Sequence, residues 1–580
     1  MSIGGTTDRR DDGGTPSGAF RGQTAARGFA VLLAVAAFAL SFFYADRNLP
    51  FQDEGATLTA ASRILDGDVF YRDIDAYPFP GAAYLAAGAM GVWGEHLSVA
   101  RAMAGVFFCV WLLALYFVAL RLLGLARAVL LGAAFLSWKF LAWPAFSTYM
   151  YSDLAFTAGC GLLACLFASR RAPRLLHAFV AGLCAAVAVA GKQNLGLYLG
   201  AATLLVLLPM ATPWRLPGVR SWRPLIVFGL SAATPLLLAG IWFASEGVLG
   251  RLLYSGLVRP FTGYLPTSGI AFAPMLAWWD LGSLHGPEAA SYFILDYFQL
   301  LMVEGLPRPD LYGGYWLLGE IFSRGVYTAV VVAVVWWLIR LIRIAFRSGE
   351  SSSGSTPPAE AAFGLLVLAI LASAFPRADF FHIISVAPPV LLLLVLLASR
   401  TDRPMRWPWF ASLAVLVLLV TSGTLAGFHR ALLTQRVELE RANVWVAPGN
   451  AWMGPLVEMI DSEVSPNQPF YVYGHEAQIY FLTGRFFAWP FSQLYPGQVG
   501  PDGGEEIADL LASNPPPVIV RGRQFWPGMP RTFEYAPRLE QWIRKNYVRD
   551  PNPFRRHPLP AGSSPPKPQW MTVLRYRGVE

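Results

Sequence analysis

The sequence predicts a polytopic α-helical membrane protein with a small α/β domain at its C-terminal end. Three observations lead there. Of 580 residues, 55% are hydrophobic and only 14% are charged, with a mean hydropathy of +0.44; a soluble domain carries about 25% charge. About eleven apolar runs approach the ~20 residues that a bilayer core requires. A soluble composition returns only after residue 427, with Glu438, Glu440, Glu458, Asp461, Glu505 and Glu506.

The chain starts with residues 1–27, rich in Gly, Ser and Thr and carrying Arg9, Arg10, Arg21 and Arg27. This stretch reads as a disordered cytoplasmic N-terminus. The first apolar run, Gly28 to Ala45, lacks a small-x-small cleavage site behind it and reads as an uncleaved anchor. Further runs centre near residues 110, 137, 161, 183, 202, 234, 334, 368, 390 and 417. The segments between them alternate in kind. One kind is rich in arginine: Arg121 and Arg127; Arg170, Arg171 and Arg174; Arg215, Arg220 and Arg223; Arg340, Arg343 and Arg347; Arg400, Arg403 and Arg406. The other kind carries acids, aromatics and prolines: residues 46–97, 147–153, 192–194, 245–315 and 377–382. Cytoplasmic loops concentrate Arg and Lys, so the N-terminus lies inside and the C-terminus outside. The apolar stretch Phe79 to Trp93 is short and Gly-rich. Counting it as a span would move every later arginine cluster outside, so it is read as a helix in the outer interface. Residues 28–427 then form the membrane domain, with 46–97 as its first outer loop, and 428–580 an extracytoplasmic α/β domain.

The charge excess, 45 Lys and Arg against 37 Asp and Glu, follows from these loops and implies no nucleic-acid partner. Cys109, Cys160, Cys165 and Cys184 all fall inside apolar runs and read as small core residues. No His/Cys metal spacing, Walker loop or Rossmann glycine pattern is present. No cofactor is assigned, and a divalent cation is left open.

The topology puts several unusual polar groups on one membrane face. Asp53 and Glu54 follow the first span, Asp153 follows Tyr149-Met150-Tyr151-Ser152, and Lys192-Gln193-Asn194 and Arg377-Ala378-Asp379-Phe380-Phe381-His382 occupy later outer segments. Each has an ordinary explanation. Asp153 sits where a helix N-cap would, Lys192 can snorkel, and Arg377 and Asp379 can form a local ion pair. Trp138, Trp143, Trp278, Trp279 and Trp316 read as interfacial belts. The shared side, fixed by the arginines and not by the acids, strengthens the joint reading. No nucleotide is available outside the cell, so an activated donor there must be lipid-borne, such as a polyprenyl-phosphate sugar. Its transfer needs a carboxylate to deprotonate an acceptor hydroxyl and cations to hold the leaving phosphate. Asp53 or Glu54 suits the first task, and Lys192, Arg377 and His382 the second.

Asp53-Glu54-Gly55, Leu65-Asp66-Gly67, Tyr71-Arg72-Asp73 and Pro78-Phe79-Pro80-Gly81 together resemble the GT-C superfamily of integral-membrane glycosyltransferases. The resemblance is to the branch that includes protein O-mannosyltransferases and the lipid A aminoarabinose transferase. Pro376-Arg377-Ala378-Asp379 with His382, and Tyr471-Val472-Tyr473-Gly474 with Tyr480 to Arg485, are similar to later motifs of that group. The resemblance implies a GT-C-like fold, inverting transfer from a polyprenyl-phosphate sugar to a glycan, lipid or protein acceptor, and a bacterial cytoplasmic membrane location. It makes Asp53 the catalytic base, assisted by Glu54, with Asp153 as the acid of the second loop. Tyr71, Arg72 and Asp379 are assigned to substrate binding. Tyr77 stands before Pro78 where the aminoarabinose transferases have Lys, which argues against the same lipid A chemistry.

The remaining elements follow from composition. The loop 245–315, with Arg251, Arg259-Pro260 and Trp278-Trp279-Asp280, reads as a lid or re-entrant segment, and Ser348 to Pro358 as a flexible linker. In the C-terminal domain, a helix is expected near 452–463 and a strand near 469–473, then a helix–strand pair near 504–521, a helix near 534–547 and a final strand near 571–576. The competing reading is a transporter or flippase of lipid-linked sugars, which would show internal repeats and midplane charges; the sequence has no repeat, and its charges sit at span ends. A scaffold would leave the acidic first loop unexplained.

Overall fold

A computed structural model describes residues 16–50, 52–143, 145–168, 174–210, 212, 214–216, 219–283, 312–347, 358–400, 407–496, 498–499, 502–522, 530–563, 565–566 and 571–579. Helix α1 (Pro16–Ala45) begins twelve residues before the expected apolar run. The extension has a packing cause: Ala26 is buried, and its carbonyl accepts a hydrogen bond from the Tyr116 hydroxyl at 3.0 Å. The expected disorder over residues 1–27 is thereby corrected for residues 16–27; residues 1–15 lie outside the described ones.

The segment that follows α1 is folded. It holds α2 (Gln52–Leu65) and α3 (Gly81–Trp93). At 13 residues α3 is about 20 Å long, too short for a hydrocarbon core of ~30 Å, and its end exposes Val92 and Trp93. Then come α4 (Leu97–Leu123), α5 (Leu125–Leu141), α6 (Tyr151–Phe167), α7 (Leu175–Gly191), α8 (Gln193–Leu207) and α9 (Arg223–Ser245). Gly124, with φ 83°, is the sole joint between α4 and α5, a backbone state that glycine adopts without strain. The membrane domain closes with α10 (Tyr312–Arg347), α11 (Pro358–Ala372), α12 (Phe380–Ala398) and α13 (Trp407–Leu432).

Among the described residues, five helices are long and apolar enough to cross a membrane: Gln23–Ala45, Leu97–Leu123, Arg223–Ser245, Gly319–Arg343 and Phe380–Ala398. Five further apolar helices among the described residues are 10–17 residues long. One buried cluster joins α1, α4–α8 and α10–α12 through side chains such as Trp111, Tyr116, Phe135, Phe363 and Ile384. Outward, α9 exposes Leu230, Leu237, Leu238 and Ile241. Apolar residues facing outward on a helix buried on its other side fit a lipid solvent, where the backbone satisfies itself and only the side chains meet the surroundings.

The 245–315 segment winds over the bundle as short helical turns between Leu249 and Ser268. Its later part folds back on α10, where the Trp278 indole donates to Thr328 Oγ1 at 2.9 Å; residues 284–311 lie outside the described ones, as does the Ser348 to Pro358 linker up to residue 357. Two of the expected belt tryptophans are interior instead. Trp138 is buried with its indole donating to the Ile384 carbonyl at 3.0 Å, and Trp143 lines an internal cavity. Trp279 is exposed, and the side chain of Trp316 lies outside the description.

The C-terminal domain opens with a hairpin, β1 (Gln435–Leu439) and β2 (Ala442–Val446), in register Val437 opposite Val444. The sequence reading missed it because its turn, Glu440-Arg441, carries none of the usual Gly or Asn signals. The hairpin is tied to the end of α1: Trp445 N donates to the Asp46 carbonyl and Asn48 N to the Trp445 carbonyl, both at 2.8 Å. Then follow α14 (Met453–Glu463), β3 (Tyr471–Tyr473), α15 (Gln478–Thr483), α16 (Glu505–Ser513), β4 (Val518–Arg521), α17 (Pro537–Asn546), β5 (Tyr547–Arg549) and β6 (Thr572–Tyr576). The sheet order is β3-β4-β6-β5, with β3 and β4 parallel and the other pairs antiparallel. This domain shares one core with α2 and α3. Leu58, Ala61, Ala82, Ala86 and Met90 pack in the same cluster as Leu456, Ile479 and Phe481.

Candidate active site

A cavity of about 750 Å³ lies where four parts of the chain meet: the start of α2, the α7–α8 joint, the start of α12 and the C-terminal domain. Asp53, in the first turn of α2, lines it half-buried. Its carboxylate accepts no hydrogen bond from a described residue. The helix N-terminus favours its charged form, but burial raises its pKa from the ordinary value, against the opposing charges of His382 and Arg377. A raised pKa makes a carboxylate a better proton acceptor near neutral pH.

Opposite charge converges from the other elements. Asp379 caps α12, accepting from the His382 backbone N–H at 2.9 Å. Its two oxygens also meet His382 Nδ1 at 2.6 Å and Arg377 Nε at 3.0 Å. Burial alone would raise the Asp379 carboxyl, but His382 and Arg377 outweigh it and hold the group below its ordinary value. The loop carrying Arg377 is pinned by the segment around Ile270, with Ile270 N donating to the Pro376 carbonyl and Ala378 N to the Ile270 carbonyl, both at 3.1 Å. Asn194 donates to the carbonyls of Ser373 and Phe375, and Tyr327 to that of Ala378. Lys192 is the single residue between α7 and α8. Its ammonium has no hydrogen-bonded partner among the described residues, and burial pushes it down to about 8, with Asp379 partly offsetting this.

Asp53, Lys192, Arg377, Asp379 and His382 therefore share one cavity. The other assigned residues do not line it. Glu54 is fully buried and paired with Arg101 through bonds of 3.2 and 3.0 Å, while Tyr149 N donates to it at 2.9 Å. Arg101 also donates to the carbonyls of Ala45, Arg47, Asn48 and Leu49, so the pair clamps the chain between α1 and α2. Asp153 is buried in the first turn of α6, whose N-cap is Met150, and its Oδ2 has no hydrogen-bond partner among the described residues. Tyr71 is buried against Phe70 and Phe243, and Arg72 lies on the surface in ion pairs with Asp73 and Glu246. For these four the short linear motifs are legible, but the side of the helix or turn on which each falls is not.

The structure adds groups that the sequence reading left aside. Asp75 lines the cavity and pairs with Arg259 Nη2 at 2.8 Å and Ser255 Oγ at 3.2 Å. Burial raises the Asp75 carboxyl, against the hydrogen bond and charge of Arg259. One oxygen of Asp75 and one nitrogen of Arg259 are buried without a partner among the described residues. Gln193 ties the site together, donating at 2.8 Å to the carbonyls of both Tyr77 and Gly256 and accepting from Phe79 N at 3.2 Å. The Pro-rich motif before α3 and the buried polar run 192–194 are the signals that point to it. Leu197, Tyr198, Leu257 and Phe261 also line the cavity while remaining partly exposed on the outer surface, which gives it an apolar mouth. Among the described residues no group of three or more His, Cys, Asp or Glu is placed to hold a metal ion.

In its fold, this helical bundle closed by a small α/β domain resembles the GT-C integral-membrane glycosyltransferases. The crystal structure of ArnT from Cupriavidus metallidurans bound to undecaprenyl phosphate aligns with 94% of this chain and 98% of its own, at 13% identity and a TM-score of 0.50. The arabinofuranosyltransferase AftD from Mycobacteria aligns with 95% of this chain and 40% of its own, at 14% identity and a TM-score of 0.47. The oligosaccharyltransferase of Archaeoglobus fulgidus aligns with 87% and 70%, at 11% identity and a TM-score of 0.44. No family model matches the sequence, and no curated protein matches it significantly.

Proposed function

We propose that the protein is a glycosyltransferase that moves a sugar from a polyprenyl-phosphate donor to an acceptor hydroxyl at the outer membrane face, with inversion. The observation that carries this is the sharing of one cavity by an unpaired acid, Asp53, and the cations Lys192 and Arg377 with His382, behind an apolar mouth. The acceptor oxygen attacks the anomeric carbon. The bond from that carbon to the phosphate oxygen breaks, and its electron pair leaves with the polyprenyl phosphate. The acceptor proton passes to the Asp53 carboxylate. Lys192 and Arg377 stabilise the charge that grows on the leaving phosphate, and Asp379 orients Arg377 and His382 toward it. The apolar mouth accommodates the prenyl chain. Glu54 and Arg101 hold α2, and hence Asp53, in place.

Purified protein in lipid nanodiscs, supplied with a panel of polyprenyl-phosphate sugars, tests the proposal. Release of polyprenyl phosphate is expected with at least one of them. No release and no binding of undecaprenyl phosphate would reject it.

Two further results are expected. Lys192→Ala or Arg377→Ala weakens donor binding by ~1–3 kcal/mol, the cost of a lost charge-assisted hydrogen bond. Lys192 also gives the binding a pH dependence. Its ammonium is charged below about 8 and loses its proton above. Affinity for the phosphate is thus steady at lower pH and falls as the pH rises beyond about 8, and Lys192→Ala abolishes that fall. Donor affinity unchanged in both variants removes the two residues from the phosphate site.

The proposed topology has eleven spans in a bacterial cytoplasmic membrane, with the N-terminus inside and the C-terminal domain outside. A reporter fused after Glu580 is active only on the outer side, and one fused after Leu97 behaves as external. A cytoplasmic reporter at Leu97 would make α3 part of a span and displace the whole site.

A further inference from the structure

We infer that the cavity wall built by the C-terminal domain is a binding face for an uncharged sugar ring. The inference rests on the glycosyl-transfer reading of the cavity and specifies its substrate class. The described residues that this domain contributes to the cavity are Asn450, Gln478, Ser492, Gln493, Tyr495 and Gln498. All are polar and none is charged, whereas the membrane-side wall carries Asp53, Lys192, Arg377, Asp379 and His382. The cavity thus has one charged wall and one neutral wall.

The neutral wall has hydrogen-bonding capacity that the protein itself does not use. Gln478 is buried and its Oε1 has no partner among the described residues. Gln493 spends its amide nitrogen on the carbonyls of Gln52 and His475, at 3.2 and 3.3 Å, and no described residue donates to its oxygen. Gln498 accepts from Tyr495 N at 3.0 Å, and its amide nitrogen has no acceptor among the described residues. The Gln478 amide nitrogen likewise has no acceptor among the described residues, so two acceptors and two donors are left over. A sugar hydroxyl both donates and accepts and can satisfy either kind. An anionic ring is disfavoured here. Among the described residues no cation stands on this wall, and the Glu476 carboxylate lies behind it, accepting from Gln52 Nε2 at 3.3 Å.

The wall is fixed against the helix that carries Asp53. A Cβ on Gly55 would meet the Gln478 Cα at 2.5 Å, so only glycine permits this approach. Thr59 Oγ1 donates to the Ala477 carbonyl at 3.0 Å one turn further on. A ring held by the amides is consequently held within reach of the first turn of α2. It belongs either to the donor, as the sugar being transferred, or to the acceptor glycan.

Saturation-transfer NMR on the full-length protein in nanodiscs tests this, with neutral mono- and disaccharides and the corresponding uronates as probes. Undecaprenyl phosphate binding, measured in parallel, reports folding and the phosphate site. Neutral saccharides are expected to bind and uronates not to. Gln478→Leu, the isosteric Gln478→Glu and Gln498→Leu each weaken saccharide binding about 10-fold and leave undecaprenyl phosphate binding intact. Saccharide binding equal in wild type and variants, uronates binding as well as neutral sugars, or a Ser/Thr peptide binding where saccharides do not, overturns the inference. Gln-dependent saccharide binding without undecaprenyl phosphate binding upholds it and rejects the glycosyl-transfer reading instead. In turnover, a raised KM for the acceptor with unchanged donor hydrolysis places the ring on the acceptor. Impaired donor hydrolysis places it on the donor.

Discussion

Asp53→Asn is expected to lower sugar transfer by about 10²–10⁴-fold, the usual contribution of a positioned general base. The substitution keeps the size and shape of the side chain and removes its ability to take a proton. Asp53 accepts no hydrogen bond from a described residue, so the change breaks no structural contact, and folding and undecaprenyl phosphate binding persist. The measurement is single-turnover transfer at saturating donor, which separates the chemical step from binding. Burial already raises the Asp53 carboxyl, so activity should fall on acidification at a higher pH than an ordinary carboxylate would give. Normal transfer by Asp53→Asn would exclude it as the base. Asp75, the other acid lining the cavity outside the Arg377 and His382 cluster, would then be the group to replace next.

The second large effect is on stability. Glu54 and Arg101 are paired within the protein, with side chains 0% and 1% exposed. Removing one partner strands the other charge in a low-dielectric interior, at a cost of about 3–5 kcal/mol. Glu54→Leu and Arg101→Leu are each expected to lower the Tm in detergent sharply and to reduce the yield of folded protein. The double variant should recover part of the loss, because no unpaired charge remains. Glu54→Gln should cost less than Glu54→Leu, since an amide oxygen can still accept from Tyr149 N and Arg101. Single variants as stable as the wild type would show that the pair is not the clamp between α1 and α2. The two experiments also separate the roles of adjacent acids: loss of turnover without loss of fold at Asp53, loss of fold first at Glu54.

That separation shows how far the sequence could be read. Asp53 and Glu54 are neighbours in one motif, and both invite a catalytic role. Successive residues on an α-helix point ~100° apart, so only one can face a given cavity. Which one does is decided by what packs on α2, namely Arg101 from α4 on one side and the open site on the other. Asp153 is a similar case, an acid at the start of a helix whose first turn faces the interior. Arg377, Asp379 and His382 were legible as a group because an N-cap, its third helical residue and the preceding cation must lie close together.

The sequence by itself determined the membrane class, through apolar runs and the placement of arginines, and the longer helices and strands after residue 450, though not the short α15 and β5, through local periodicity. These are properties of neighbouring residues, whose hydropathy and hydrogen-bonding needs depend little on the rest of the chain. Only the tertiary structure decided that the C-terminal domain is a wall of the cavity, that Asp75 and Arg259 belong beside it, and that Gln193 staples Tyr77 and Phe79 to Gly256. Gln52 and Glu476 are 424 residues apart when they meet, and no local pattern encodes such a contact. It arises because α2 and α3 cannot cover their apolar faces alone and share one core with the domain that closes over Asp53.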